Sequence, residues 1–217
     1  MAAPMPLRAS VTAKICGLST PETLDAAIAG GASHVGFVFF PPSPRNLDFG
    51  QARALIARVP PHVGKVGVFV DPDEATLGAA LATGITAAQL HKTAPDRAAA
   101  IRTRLPVWIA IAIKTRADLD RARAYHGAAD RILYDAKTPD NAALPGGMGL
   151  RFDWKLLEGI PQPLPWALSG GLDAGNVAEA ARTTGATLVD VSSGVESAPG
   201  IKDVAKIAAF LKAVAAL

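Results

Sequence analysis

The chain has 217 residues, half of them hydrophobic, which suits one sizeable domain with its own core and excludes a disordered chain. Its longest unbroken apolar run, Val107–Ile113, is far short of the roughly 20 residues that span a bilayer, and its first ten residues lack an apolar h-region, so neither a membrane partner nor a secretory signal is expected. The net charge of +3 comes from dispersed arginines rather than a basic stripe, and with few aromatic residues and no helix-turn-helix or zinc-ligand spacing no nucleic-acid partner is expected. A mild positive field suits a small anionic substrate instead.

Taken in order, short apolar runs alternate with alanine-rich, helix-prone segments. The predicted strands are Thr12–Ile15, His34–Phe39, Lys65–Val70, Ala87–Leu90, Val107–Ile113, Arg131–Tyr134, Trp166–Leu168 and Thr187–Val191. Several are apolar almost throughout, as parallel strands covered on both faces should be. Thr20-Pro21-Glu22 opens a helix with a capping hydroxyl and a proline at its first position. Asp71-Pro72-Asp73-Glu74 and Pro95-Asp96 open two more with negative charge at the positive end of the helix dipole. Gly30-Gly31 and Gly84 stand where left-handed caps end the preceding helices. Further helices are expected at Arg116–Tyr125, Ala174–Thr183 and Val204–Val214, with the weakest at Trp154–Leu157. Eight strand–helix units predict a (β/α)₈ TIM barrel: a parallel eight-stranded barrel with outer helices, filling one domain over residues 1–217 behind a ten-residue N-terminal extension. An open doubly wound sheet fits less well, because the first turn, Cys16-Gly17-Leu18-Ser19, lacks a glycine fingerprint.

In such a barrel the chemistry sits at the carboxyl ends of the strands and in the loops after them. That rule selects Cys16 where the first strand ends, Arg45 in the proline-stiffened segment 41–46, His91 where the fourth strand ends, and Asp135 where the sixth ends. It also selects two glycine-bearing loops, Ser169-Gly170-Gly171 and Ser192-Ser193-Gly194, at the positions where barrels of this kind commonly hold a phosphate. Arg45 has the fork geometry for a carboxylate. The segment Ala136–Phe152 is long and irregular, as binding loops often are. Cys16 is the only cysteine, so no internal disulfide forms, in keeping with a reducing, cytoplasmic setting. His34, His62, His91 and His126 show no metal-ligand spacing, so no metal is expected.

At these residues the chain resembles the phosphoribosylanthranilate isomerase family of tryptophan biosynthesis. The resemblance runs from Lys14-Ile15-Cys16-Gly17-Leu18 through Gly36-Phe37-Val38-Phe39, Ser43-Pro44-Arg45, Gln89-Leu90-His91, Gly146-Gly147 with Gly149, Phe152-Asp153-Trp154 and Leu168-Ser169-Gly170-Gly171-Leu172, to Val189-Asp190-Val191-Ser192-Ser193-Gly194-Val195-Glu196. It implies an Amadori rearrangement of an N-linked ribose phosphate, with Cys16 as general base and Asp135 as general acid. Arg45 would hold the anthranilate carboxylate, the loops at Gly170-Gly171 and Ser193-Gly194 the phosphate, while His91 and Asp190 would lie near the substrate. No cofactor is implied, because the protonated imine withdraws the electrons itself. The enzyme would meet a small phosphorylated substrate as a monomer or homodimer. Lys92, where the family usually has glycine, and Met148, where it usually has threonine or serine, depart from the pattern. A related isomerase of histidine synthesis resembles a two-aspartate design, with aspartate where this chain has Cys16. For Cys16 and Asp135 to act as named, a thiol normally near 8.5 should be lowered and a carboxyl normally near 3.9 raised, both about neutral pH. Lys14 is a possible cation for the thiol.

Overall fold

Alternate side chains along each strand enter two separate cores, one beneath the helices and one inside the barrel. Ile15, Phe37, Phe69, Leu90, Ile109, Ile132, Leu168 and Val189 point outward beneath the helices. Val66, Ala87, Trp108, Leu133, Ala167 and Leu188 form a second apolar layer that plugs the barrel's interior. The computed structural model describes residues 10–138 and 148–217. Its strands are β1 (Thr12–Cys16), β2 (His34–Val38), β3 (Gly64–Val70), β4 (Ala87–His91), β5 (Val107–Ile113), β6 (Arg131–Ala136), β7 (Trp166–Leu168) and β8 (Leu188–Val191). They close into a parallel barrel in sequence order. The closing pair sets Lys14 of β1 opposite Asp190 of β8.

The helices are α1 (Pro21–Ala29), α2 (Phe49–Ile56), α3 (Glu74–Leu81), α4 (Pro95–Arg102), α5 (Val177–Thr184) and α6 (Val204–Ala215). Thr20 caps α1 as expected, accepting from the Thr23 amide, while Asp48 and Gln51 form a reciprocal capping box at α2. Gly31 and Gly84 take the left-handed backbone expected after α1 and α3. None of the described helices is long and apolar enough to cross a membrane.

Several features differ from the sequence expectation, among them α2, which was not expected. Arg116–Tyr125 is a 3₁₀ helix. Its buried residues, Leu119 and Ala122, are three apart, which suits three residues per turn. The helix expected at Ala174 begins instead at Val177. Asp173 and Asn176 bond to nearby amides and hold the intervening residues in a turn, a competition typical of these side chains. After β8 comes a short hairpin that was not anticipated, β9 (Glu196–Ala198) with β10 (Ile201–Lys202). Its turn seats Gly200, at positive φ, against the Pro44 carbonyl, where an added Cβ would lie only 2.6 Å from the oxygen. The weakest expected element, Trp154–Leu157, is a single 3₁₀ turn. Residues 1–9, most of the proposed extension, and 139–147, the middle of the expected binding loop, lie outside the described residues.

Candidate active site

Cys16 and His91 end β1 and β4, as expected, and Asp135 is the penultimate residue of β6. Their inward direction follows from alternation, since Ile15, Leu90 and Tyr134 face the outer core. Above the apolar plug this leaves a pocket with about 820 Å³ of free space, open to solvent. Cys16, Arg45, His91, Asp135, Asp190 and both glycine loops line it, so every candidate site residue meets in one place. The ends of the long loop, Thr138 and Met148–Leu150, join them.

Cys16 is buried and packs against Val38 and Val68. Burial pushes its thiol up, opposed by the Lys14 and Lys202 ammonium groups and reinforced by Asp190. The expected lowering is therefore not what the site does: two cations are present, but loss of hydration outweighs them. Lys14 does reach the thiol, which strand alternation alone did not establish. Its side chain is 0% exposed and its Nζ donates to Asp190 Oδ1 at 2.8 Å. Ser169 Oγ donates to the other Asp190 oxygen at 3.3 Å.

The Asp135 carboxyl is shifted in the expected direction. Burial first, and the neighbouring Asp190 carboxylate second, push its carboxyl up to about 7. Its Oδ1 accepts from the Ala136 amide at 2.8 Å. Cys16 and Asp135 thus face the same pocket from β1 and β6, with Asp190 of β8 acting electrostatically on both. His91 is held neutral, pushed down to about 4 by burial and then by Lys14 and Lys92. Its Nε2 lies 3.1 Å from Gln89 Nε2. Gln89 Oε1 is buried without a hydrogen-bond partner among the described residues.

Arg45 reaches the pocket from the β2–α2 loop, its aliphatic stem lying over Gly17, where a Cβ would come within 2.6 Å of Arg45 Cδ. Its guanidinium is gripped by Glu196, with Nε 2.6 Å from Oε1 and Nη2 2.8 Å from Oε2. Lys202 donates to the same carboxylate at 2.6 Å and to the Ser192 carbonyl at 2.9 Å. The hairpin thereby ties the loop after β8 to the loop after β2. In the sequence Glu196 closes a family-like segment without a role of its own, and nothing marks Lys202. Their pairing depends on a hairpin two and three residues long, too short to leave a periodic signal.

The glycine loops have backbone reasons for their glycines. Gly170 and Gly171 both take positive φ, and a Cβ on Gly171 would sit 2.8 Å from the carbonyl oxygens of Gly149 and Leu150. At Gly194 a Cβ would overlap the Leu172 carbonyl oxygen. These close approaches bring amide-rich backbone to the rim, the arrangement that cradles an anion. Among the described residues no group of His, Cys, Asp and Glu could hold a metal ion.

Residues 13–213 match the family model for N-(5'phosphoribosyl)anthranilate (PRA) isomerase. The N-(5'-phosphoribosyl)anthranilate isomerase of Zymomonas mobilis subsp. pomaceae is 56% identical over 209 residues, covering 94% of this chain and 98% of its own. The crystal structure of the phosphoribosyl anthranilate isomerase of Thermotoga maritima superposes with a TM-score of 0.87 at 37% identity, over 95% of this chain and all of that one. A phosphoribosyl anthranilate isomerase in complex with reduced 1-(o-carboxyphenylamino)-1-deoxyribulose 5-phosphate gives a TM-score of 0.83 at 34% identity, over 95% of this chain and all of that one. The barrel, the convergent pocket and these likenesses agree: this chain belongs to the N-(5'-phosphoribosyl)anthranilate isomerase family.

Proposed function

We propose that this barrel, acting as one catalytic domain, isomerises N-(5'-phosphoribosyl)anthranilate to 1-(o-carboxyphenylamino)-1-deoxyribulose 5-phosphate, with Asp135 as general acid and Cys16 as general base. Asp135 gives its proton to the furanose ring oxygen. The bond from that oxygen to the first sugar carbon breaks, and the anthranilate nitrogen's lone pair forms a protonated Schiff base. The Cys16 thiolate then takes the proton from the second sugar carbon, and the released electron pair neutralises the iminium to give an enolamine. Tautomerisation moves the hydroxyl proton of that carbon to the first carbon, leaving the amino-ketose.

The observation that carries this reading is the buried Asp135 carboxyl, pushed up to about 7, across one pocket from the chain's single thiol. An acid with that value holds its proton near neutrality and still releases it readily. The raised thiol means that the reactive arrangement, thiolate with carboxylic acid, is the less populated of the two ways to share one proton between the groups. Arg45 serves the substrate's carboxylate, with its orientation fixed by Glu196. The amides about Gly170, Gly171, Ser193 and Gly194 serve its phosphate. His91, neutral at working pH, borders the reacting sugar without adding charge.

Assaying the purified protein against phosphoribosylanthranilate and against the phosphoribosyl aminoimidazole compound of the two-aspartate isomerase tests the assignment. Turnover of the anthranilate compound is expected; activity on the imidazole compound alone would overturn the reading.

A further inference from the structure

The barrel interior carries an ion pair, Lys14 with Asp190, that neither binds the rim together nor caps an element. Lys14 is fully buried, and its partner Asp190 stands opposite it in the closing strand pair. A buried ion pair is a poor device for stability, because the lost hydration of two charges commonly equals or exceeds their attraction. The layer beneath is built mainly of apolar side chains, with Arg131 and His34 packed on Trp108. Room for the pair is specifically made. On β2, beside β1, stands Gly36, where a Cβ would lie 2.9 Å from Cys16 Sγ and 3.2 Å from Lys14 Cε. The thiol and the end of the lysine chain therefore pack side by side over the same glycine.

We propose that Lys14 and Asp190 are positioning residues for the reaction: Asp190 fixes the Lys14 ammonium against Cys16, where it is the countercharge on which the thiolate forms. This rests on the reading of Cys16 as the base. Ser169 holds the second oxygen of Asp190, leaving Oδ1 to the lysine, while the end of the lysine chain lies beside the Cys16 sulfur over Gly36 and its charge favours the thiolate. The charged groups that bear on the thiol are Lys14 on its own strand, Asp190 from β8 and Lys202 from β10. Those that feel Lys14 in turn include His34 on β2, His91 on β4 and Asp135 on β6. Lys14 acts on the thiol more strongly than Asp190 does, whereas on Asp135 the order is reversed. Deleting both charges should accordingly raise the thiol while lowering the acid, widening the gap that the reaction must bridge.

Because Cys16 is the only cysteine, alkylation of the intact protein by iodoacetamide, followed by mass, titrates this thiol alone. The pH midpoint of the alkylation rate, rather than the rate itself, separates ionisation from access. Lys14→Met should raise the midpoint by about one pH unit or more, a tenfold loss of thiolate at fixed pH, and Lys14→Arg should restore part of it. Lys14→Met leaves Asp190 buried without its partner and can fail to fold, so Lys14→Met/Asp190→Asn, which removes both charges, is measured beside it. Its midpoint should also rise. A midpoint unmoved or lowered in the double variant overturns the proposal. Turnover of Cys16→Ala is the separate control: normal turnover there means that the base reading has failed, even if the thiol responds to Lys14, and the positioning role falls with it.

Discussion

Replacing Asp135 by asparagine should stabilise the fold at alkaline pH while disabling the enzyme. The folded carboxyl lies at about 7 against about 3.9 when unfolded. A gap of about 3 units, at about 1.36 kcal/mol each, comes to about 4 kcal/mol. The sign follows from where the proton is held. Between those two values the folded protein keeps a proton that the unfolded chain releases, so the wild type loses stability as pH rises through this window and bears the full cost above pH 7. Below pH 4 both states are protonated and the cost vanishes. Asparagine carries no charge at any pH, and its carbonyl can still accept from the Ala136 amide as Asp135 Oδ1 does. For a chain of this size each kcal/mol moves Tm by roughly 2–4 °C. Calorimetry should find Asp135→Asn close to wild type at pH 4 and about 8–16 °C more stable at pH 8. The same offset at both pH values, or a variant less stable at pH 8, refutes the reasoning.

Three further outcomes follow from the geometry. The pH profile of kcat/KM should be a bell whose ascending limb, near 7, belongs to Asp135 and whose descending limb belongs to Cys16, as for any pair working in its minority protonation state; Asp190→Asn should move the ascending limb down, and a fixed limb counts against the coupling. Lys92 is held at a φ of 54°, a left-handed backbone that costs a side-chain-bearing residue about 1–2 kcal/mol; Lys92→Gly recovers part of this, raising stability by about 0.5–1 kcal/mol once the greater freedom of unfolded glycine is offset, a gain that urea unfolding resolves. Gly194→Ala forces the loop after β8 away from the Leu172 carbonyl, and because a displacement of about 1 Å can cost up to about 10²-fold, KM for the phosphorylated substrate should rise at least about tenfold; an unchanged KM removes this loop from phosphate binding.

The barrel was legible because its two periods are simple. Apolar runs such as Val107–Ile113 mark strands covered on both faces, and Thr20-Pro21 states a helix start that Thr23 and Thr20 then make. Most outer elements followed, but α2 was not foreseen, and local bonding altered two others: Asp173 and Asn176 delay α5, and Arg116–Tyr125 tightens to a 3₁₀ helix. The rule that chemistry gathers at strand ends named eight of the nine candidates that meet in one pocket, and the family resemblance added Asp190. What the sequence did not disclose was the balance of forces on Cys16. Lys14 lies two residues away, so its proximity was open to suspicion, but the loss of hydration that overrides it depends on Val38, Val68 and the closed barrel around the thiol. Nor could spacing reveal that Glu196, 151 positions from Arg45, grips its guanidinium.

The central claim, that this pocket isomerises phosphoribosylanthranilate with Cys16 as its base, is tested most directly by the loss of anthranilate-type fluorescence when purified protein meets freshly made substrate. The wild type should accelerate that loss well above a protein-free control, and Cys16→Ala, still folded by circular dichroism, should be slower by at least ~10²-fold. No acceleration by the wild type, or equal rates from both proteins, would contradict the account.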